Sequence, residues 1–191
     1  TGFKKKKGGK HMPIIVLDPG HGGTDPGAIG NGLQEKNLTL TIGLKVKQLL
    51  EANYIVDVRL TRETDVFIEL LERADFANNL GASYFVSLHH NAGGGTGFES
   101  FIYPGTSSSE TGRRQDVLHG EVMKFLTGFG LRDRGQKEAN FAVLRETAMP
   151  AILLENLFID SVNDTNLLKD PTFLTGISNA IASGIGKALN L

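Results

Sequence analysis

Ile14-Ile15-Val16-Leu17-Asp18-Pro19-Gly20-His21-Gly22-Gly23 is the stretch on which the reading of the fold turns. Its first four residues are a continuous apolar run, and Asp18-Pro19-Gly20 closes that run with turn-forming residues. A short run of this kind, bounded by a turn, predicts a buried strand followed by a sharp turn. Immediately beyond, Leu38, Ile42, Val46, Leu49 and Leu50 recur at helical spacing and predict an amphipathic helix over about 35 to 51.

The alternation continues outward. Residues 54 to 60 read as a strand. Leu70, Leu71, Ala74, Ala77 and Asn78 mark a second helix that ends near Gly81. Residues 84 to 88 and 98 to 103 read as strands, separated by Gly93-Gly94-Gly95. A Ser-, Thr- and Gly-rich loop, 104 to 112, precedes a helix over 113 to 127. Residues 141 to 144 and 151 to 154 read as the last strands, 166 to 168 as a helical turn, and 171 to 189 as a closing helix opened by Pro171. Strands alternating with helices predict one α/β domain over 13 to 191, a twisted, mostly parallel sheet with helices on both faces.

A chain of 191 residues can bury a substantial core without cross-links. It has no cysteine, which excludes disulfides, cysteine-ligated zinc and thiol nucleophiles together. No run approaches the roughly 18 apolar residues of a membrane span, and no secretory signal is present. Residues 1 to 12 stand apart, with four consecutive lysines, Gly8-Gly9 and His11-Met12. They read as a vector-derived leader with a cloning junction, a basic arm for an anionic surface being the alternative. The whole chain has 20 basic and 21 acidic residues; setting aside the five leader lysines leaves 15 against 21, a net charge of −6. An acidic domain gives no electrostatic reason to expect nucleic-acid binding.

Four residues far apart in sequence are expected at one edge of this sheet. His21 follows the first strand, Glu35 opens the next helix, His89 ends the strand at 84 to 88, and Glu155 ends the strand at 151 to 154. In open α/β sheets ligands sit beyond the carboxyl ends of the strands. Two imidazoles and a carboxylate suit a zinc ion that keeps one position open, and a further glutamate suits a proton carrier. Each has a plainer reading. His21 lies in a glycine-flanked turn, where a phosphate loop is the other option, although no glycine-rich phosphate motif occurs there. Glu35 can simply complement a helix dipole. His89 and His90 are adjacent, so on a strand only one faces the site, and the pattern favours His89. Glu155, after four apolar residues, needs a partner, which in the plainer reading is an arginine. His119 falls on an expected surface helix and is assigned no role.

At these residues the chain resembles the zinc-dependent N-acetylmuramoyl-L-alanine amidases of the type-three family, over essentially all of 13 to 191. The similarity runs through Leu17-Asp18-Pro19-Gly20-His21-Gly22-Gly23, Asp25-Pro26-Gly27-Ala28, Glu35 and Leu60-Thr61-Arg62. It continues through Arg73, Ala77-Asn78, Val86-Ser87-Leu88-His89, Gly97-Phe98-Glu99 and Pro150-Ala151-Ile152-Leu153-Leu154-Glu155. The resemblance implies zinc ligands at His21, Glu35 and His89 and a catalytic glutamate at Glu155. It implies one zinc ion per chain, peptidoglycan as partner, and a monomer acting outside the cell or in the cell wall. It also implies wall-binding modules in a longer natural protein. The family often has a small residue where His90 stands, glycine where Leu157 stands, and Ser-Asn where Asp160-Ser161 stand. Some relatives insert an inhibitory helix after the second histidine motif, where this chain has only the loop 104 to 112. The implied chemistry is hydrolysis of the amide between the lactyl group and L-alanine, with Glu155 as general base and then acid. A zinc peptidase and a non-catalytic wall-binding module remain the alternatives.

Overall fold

The computed structural model describes residues 12–191, so the leader assigned to residues 1–12 lies outside the described residues except for Met12. In chain order the elements begin with β1 (Ile14–Pro19), the two-residue strands β2 (Ile29–Gly30) and β3 (Leu33–Gln34), α1 (Glu35–Asn53) and β4 (Asp57–Leu60). They continue with α2 (Leu70–Asn79), β5 (Tyr84–Asn91), β6 (Phe98–Ile102), α3 (Glu110–Leu126) and β7 (Asp133–Glu138). The chain ends with α4 (Ala142–Arg145), β8 (Ala151–Phe158), α5 (Val162–Leu168) and α6 (Pro171–Ala188).

Six strands form one sheet in the order β4-β1-β5-β8-β6-β7. β4, β1, β5 and β8 run parallel, while β6 is antiparallel to β8 and parallel to β7. The result is a single α/β domain with a mostly parallel sheet. The central strands are apolar on both faces because helices cover both. α1, α3 and α6 bury Ile15, Leu17, Val86, Leu88, Ile152 and Leu154 on one face. α2 and α4 flank a smaller cluster of Val16, Phe85, Ala151 and Leu153 on the other. α1 comes close to the sheet because Gly43 has no side chain; a Cβ there would lie 2.8 Å from Pro19.

Several boundaries differ from the sequence expectation. Residues 141 to 144 are not a strand: α4 occupies Ala142–Arg145. A four-residue apolar run carries no periodicity that separates helix from strand. The strand expected at 54 to 60 is only β4, because α1 continues to Asn53. α3 starts at Glu110, where Ser109 caps it by accepting from the Thr111 N–H. β7, with the sequence Asp-Arg-Gly-Gln-Lys-Glu, has no counterpart in the sequence reading. β2 and β3 form a tiny hairpin across Asn31-Gly32, both with positive φ (49° and 81°), the two-residue turn that Asn-Gly favours.

Candidate active site

The turn after β1 carries His21 in the left-handed region, φ 62°, a costly conformation for a non-glycine residue. Two buried arginines hold it there. Arg62 donates to the carbonyls of Pro19 and Gly20, and Arg73 to those of Pro19 and His21. Beneath the turn, buried Asp18 accepts from Arg73, Thr61 and Ser87. Burial alone would raise the Asp18 pKa, but the Arg73 charge and the two hydroxyls bring it below the ordinary value.

The β2–β3 hairpin then delivers Glu35 to the first residue of α1, and β5 delivers His89 from the neighbouring strand. The structure brings these three side chains together. His21 Nε2 lies 3.1 Å from Glu35 Oε2, His89 Nδ1 lies 3.0 Å from Glu35 Oε1, and the two nitrogens are 3.2 Å apart. Such a trio can hold a metal ion. The surroundings fix each ligand. His21 Nδ1 sits 2.8 Å from Asp25 Oδ2, which assigns the N–H to Nδ1 and turns the Nε2 lone pair inward. Glu35 accepts from the backbone N–H of Ala28 and of His90, both at 2.9 Å. Burial opposes its charge, yet His21 and His89 keep the carboxyl far below the usual range. Two glycines make room. A Cβ on Gly20 would lie 2.2 Å from the His89 ring, and one on Gly27 would lie 2.6 Å from Glu35 Oε2.

His90 points to the opposite face, where it is buried with Nδ1 against the Asn156 carbonyl oxygen. Glu155 is the register partner of His89 across β5 and β8, so both project on one face. Both residues lie inside their strands, which run three and four residues further than expected. Among the described residues Glu155 pairs with no arginine, and its Oε2 is buried without any partner. Burial pushes its pKa up to about 7, with Glu35 and Glu99 adding to the rise and His89 opposing it. The four side chains line a cavity of about 600 Å³, walled by Phe67, Leu70, Phe141 and Val143.

A family model described as N-acetylmuramoyl-L-alanine amidase matches residues 15–187. The chain belongs to this family. It is 50% identical over 181 residues to the N-acetylmuramoyl-L-alanine amidase CwlM of Bacillus licheniformis, covering 94% of this chain and 70% of that one. It is 49% identical over 180 residues to the endolysin of Bacillus phage SPP1, covering 93% and 66%. Among solved structures, the catalytic domain of the amidase CwlV from Bacillus (Paenibacillus) polymyxa superposes with a TM-score of 0.83 at 35% identity. That match covers 94% of this chain and 99% of that chain.

The residues that support the site are part of the family likeness, but the sequence assigns them no role. Asp25, Arg62 and Arg73 act on atoms up to 54 positions away, and nothing local shows what they touch. His119 does not face solvent on α3. It is 4% exposed and bridges the Ser100 hydroxyl (2.9 Å) and Asp133 (3.0 Å). Ser100 is fully buried, so this Ser-His-Asp chain is closed to substrate and ties α3 to β6 and β7. Leu157 adopts φ 70° at a position where glycine would be unstrained.

Proposed function

We propose that residues 13–191 are a zinc-dependent amidase unit that hydrolyses the bond between the lactyl group of N-acetylmuramic acid and L-alanine of the stem peptide. Residues 1–12 stand outside that unit. The observation that carries the reading is the convergence of His21, Glu35 and His89 beside an unpartnered Glu155 carboxylate. The donor set fits zinc. Ligand atoms about 2.0 Å from zinc at tetrahedral angles are about 3.3 Å apart; here the two ring nitrogens are 3.2 Å apart, and each lies 3.0 or 3.1 Å from one of the two Glu35 carboxylate oxygens. Two nitrogens and one carboxylate leave a fourth position for water, the pattern of catalytic sites.

Zinc, when bound, supplies Lewis-acid polarisation of the amide carbonyl and activation of water at neutral pH. The protein's groups do the rest. Asp25 keeps the His21 tautomer fixed, and the Ala28 and His90 amides keep Glu35 in place. Glu155 takes the proton of the attacking water at its free carboxylate oxygen and delivers it to the departing alanine nitrogen. Burial raises its basicity towards the operating pH, while a nearby cation favours its ionised form, so it is ready to accept. The apolar walls at Phe67, Leu70 and Phe141 limit water around the scissile bond. Peptidoglycan as substrate places the action of the unit, as a monomer, in the cell wall outside the membrane.

Purified peptidoglycan incubated with the protein, with and without a chelator, tests this. Chelator-sensitive release of new alanine amino termini is the expected result. New termini at other peptide bonds would make it a zinc peptidase, and binding without new termini would make it a wall-binding module.

A further inference from the structure

The site face continues past Glu155. Glu155 on β8 is the register partner of Glu99 on β6, and β7 is the next strand out. Neighbouring strands lie about 4.8 Å apart, so β7 is about 10 Å from Glu155. A second cavity of about 640 Å³ opens at this end. It shares Asn91 and Ala92 with the first and is lined further by Glu99, Arg132, Arg134 and Phe158.

Glu99 is 3% exposed and accepts from Arg134 Nε at 3.0 Å, from Lys137 Nζ and from Asn91 Nδ2. Two cations therefore face one anion, and exposed Arg132 adds a third positive charge. The nearby acids are engaged elsewhere. Asp160 accepts from the Gly93 and Gly94 amides, and Asp164 from Thr96 and the Gly97 and Phe158 amides. The Arg134 guanidinium is fixed on one edge by Glu99 and lies 4.7 Å from the centre of the Phe158 ring. Among the described residues its two Nη atoms make no hydrogen bond. A planar fork held by Nε and by stacking, with its outer N–H groups free, is matched to a carboxylate.

We propose that Arg134 binds a free carboxylate of the stem peptide, two or three residues beyond the scissile amide, and so selects the peptide. The spacing follows from chain reach: about 10 Å is three residues at roughly 3.5 Å each. This rests on the amidase reading and names the part of the substrate that the second cavity takes.

The test uses N-acetylmuramoyl peptides with a carboxylate or a carboxamide at the second or the third residue, and the zinc-loaded protein. The parent should prefer the carboxylate at one of these positions. Arg134→Gln should lower kcat/KM for that substrate about ten- to hundredfold, through KM, and leave the carboxamide substrate unchanged. Arg134→Lys, which keeps the charge but not the fork, should fall between. Calorimetry with Glu155→Gln protein provides a readout without turnover: it should bind the carboxylate peptide more tightly, and adding Arg134→Gln should erase the difference. Equal losses on both substrates, or a parent that does not discriminate, would overturn the subsite. Discrimination in binding with no release of alanine termini would overturn the amidase reading and leave the subsite standing.

Discussion

Two histidine–carboxylate networks lie on opposite faces of the same sheet, built from the same residue types, and they differ in what they leave unbonded. In the Ser100–His119–Asp133 network both ring nitrogens have partners, Gln115 also donates to the serine hydroxyl, and Gly135 N–H donates to Asp133. The His21–Glu35–His89–Glu155 group has two ring nitrogens 3.2 Å apart, each within 3.1 Å of a Glu35 oxygen, a strained His21 backbone and a buried carboxylate oxygen with no partner. A satisfied buried network stabilises a fold, whereas unsatisfied groups gathered on a cavity are held ready for something else. The type of residue does not separate the two; the bonding state does.

The largest expected effect breaks the open network at its proton carrier. Glu155→Gln should lower turnover by about 10²-fold or more while zinc content and melting temperature stay at parental values. If the variant instead loses thermal stability and its folded fraction remains active, Glu155 is structural and the contrast fails. Next comes the ring orienter. Asp25→Ala should weaken zinc binding by about ten- to hundredfold, measured by competition with a chelator of known affinity; unchanged affinity would mean that the His21 tautomer is held without Asp25.

The closed network should respond in the other currency. His119→Ala leaves the Ser100 hydroxyl and Asp133 without their partner and should cost about 1–3 kcal/mol in urea unfolding, with turnover of the folded protein unchanged. A fall in turnover at intact stability would give that network a part in the reaction. Asp18 is read through the slope of stability with pH. Its folded-state pKa is depressed, so the stability it confers is complete above the unfolded value near about 4 and is lost as pH falls through the folded value. Asp18→Asn should therefore flatten the acid limb of a plot of urea midpoint against pH. Parallel curves for parent and variant below about pH 4 would remove Asp18 from the account.

The sequence exposed the sheet's centre far better than its edge. The runs at 14 to 17, 84 to 88 and 151 to 154 are apolar because both faces of β1, β5 and β8 are covered, so burial is written in composition. β7 is polar throughout and is held by backbone pairing to β6, which leaves no hydrophobic trace. Arg134 and Lys137 went unnoticed with it. The Asn31-Gly32 hairpin, by contrast, carried a turn signal that could have been used to place Glu35. His21, Glu35, His89 and Glu155 stand in local frames that drew attention to them. Arg62 and Arg73 stood only in the family likeness, with no role: they act through backbone carbonyls 42 to 54 positions away, contacts that only the folded chain creates.

The central claim is that His21, Glu35 and His89, and not His90, hold one metal ion. Elemental analysis of the parent, His89→Ala and His90→Ala, each purified in the presence of zinc and desalted, tests it most directly. The account predicts about one zinc per chain in the parent and in His90→Ala, and loss of zinc in His89→Ala. Full zinc in His89→Ala with loss in His90→Ala, or a folded parent that holds none, would contradict it.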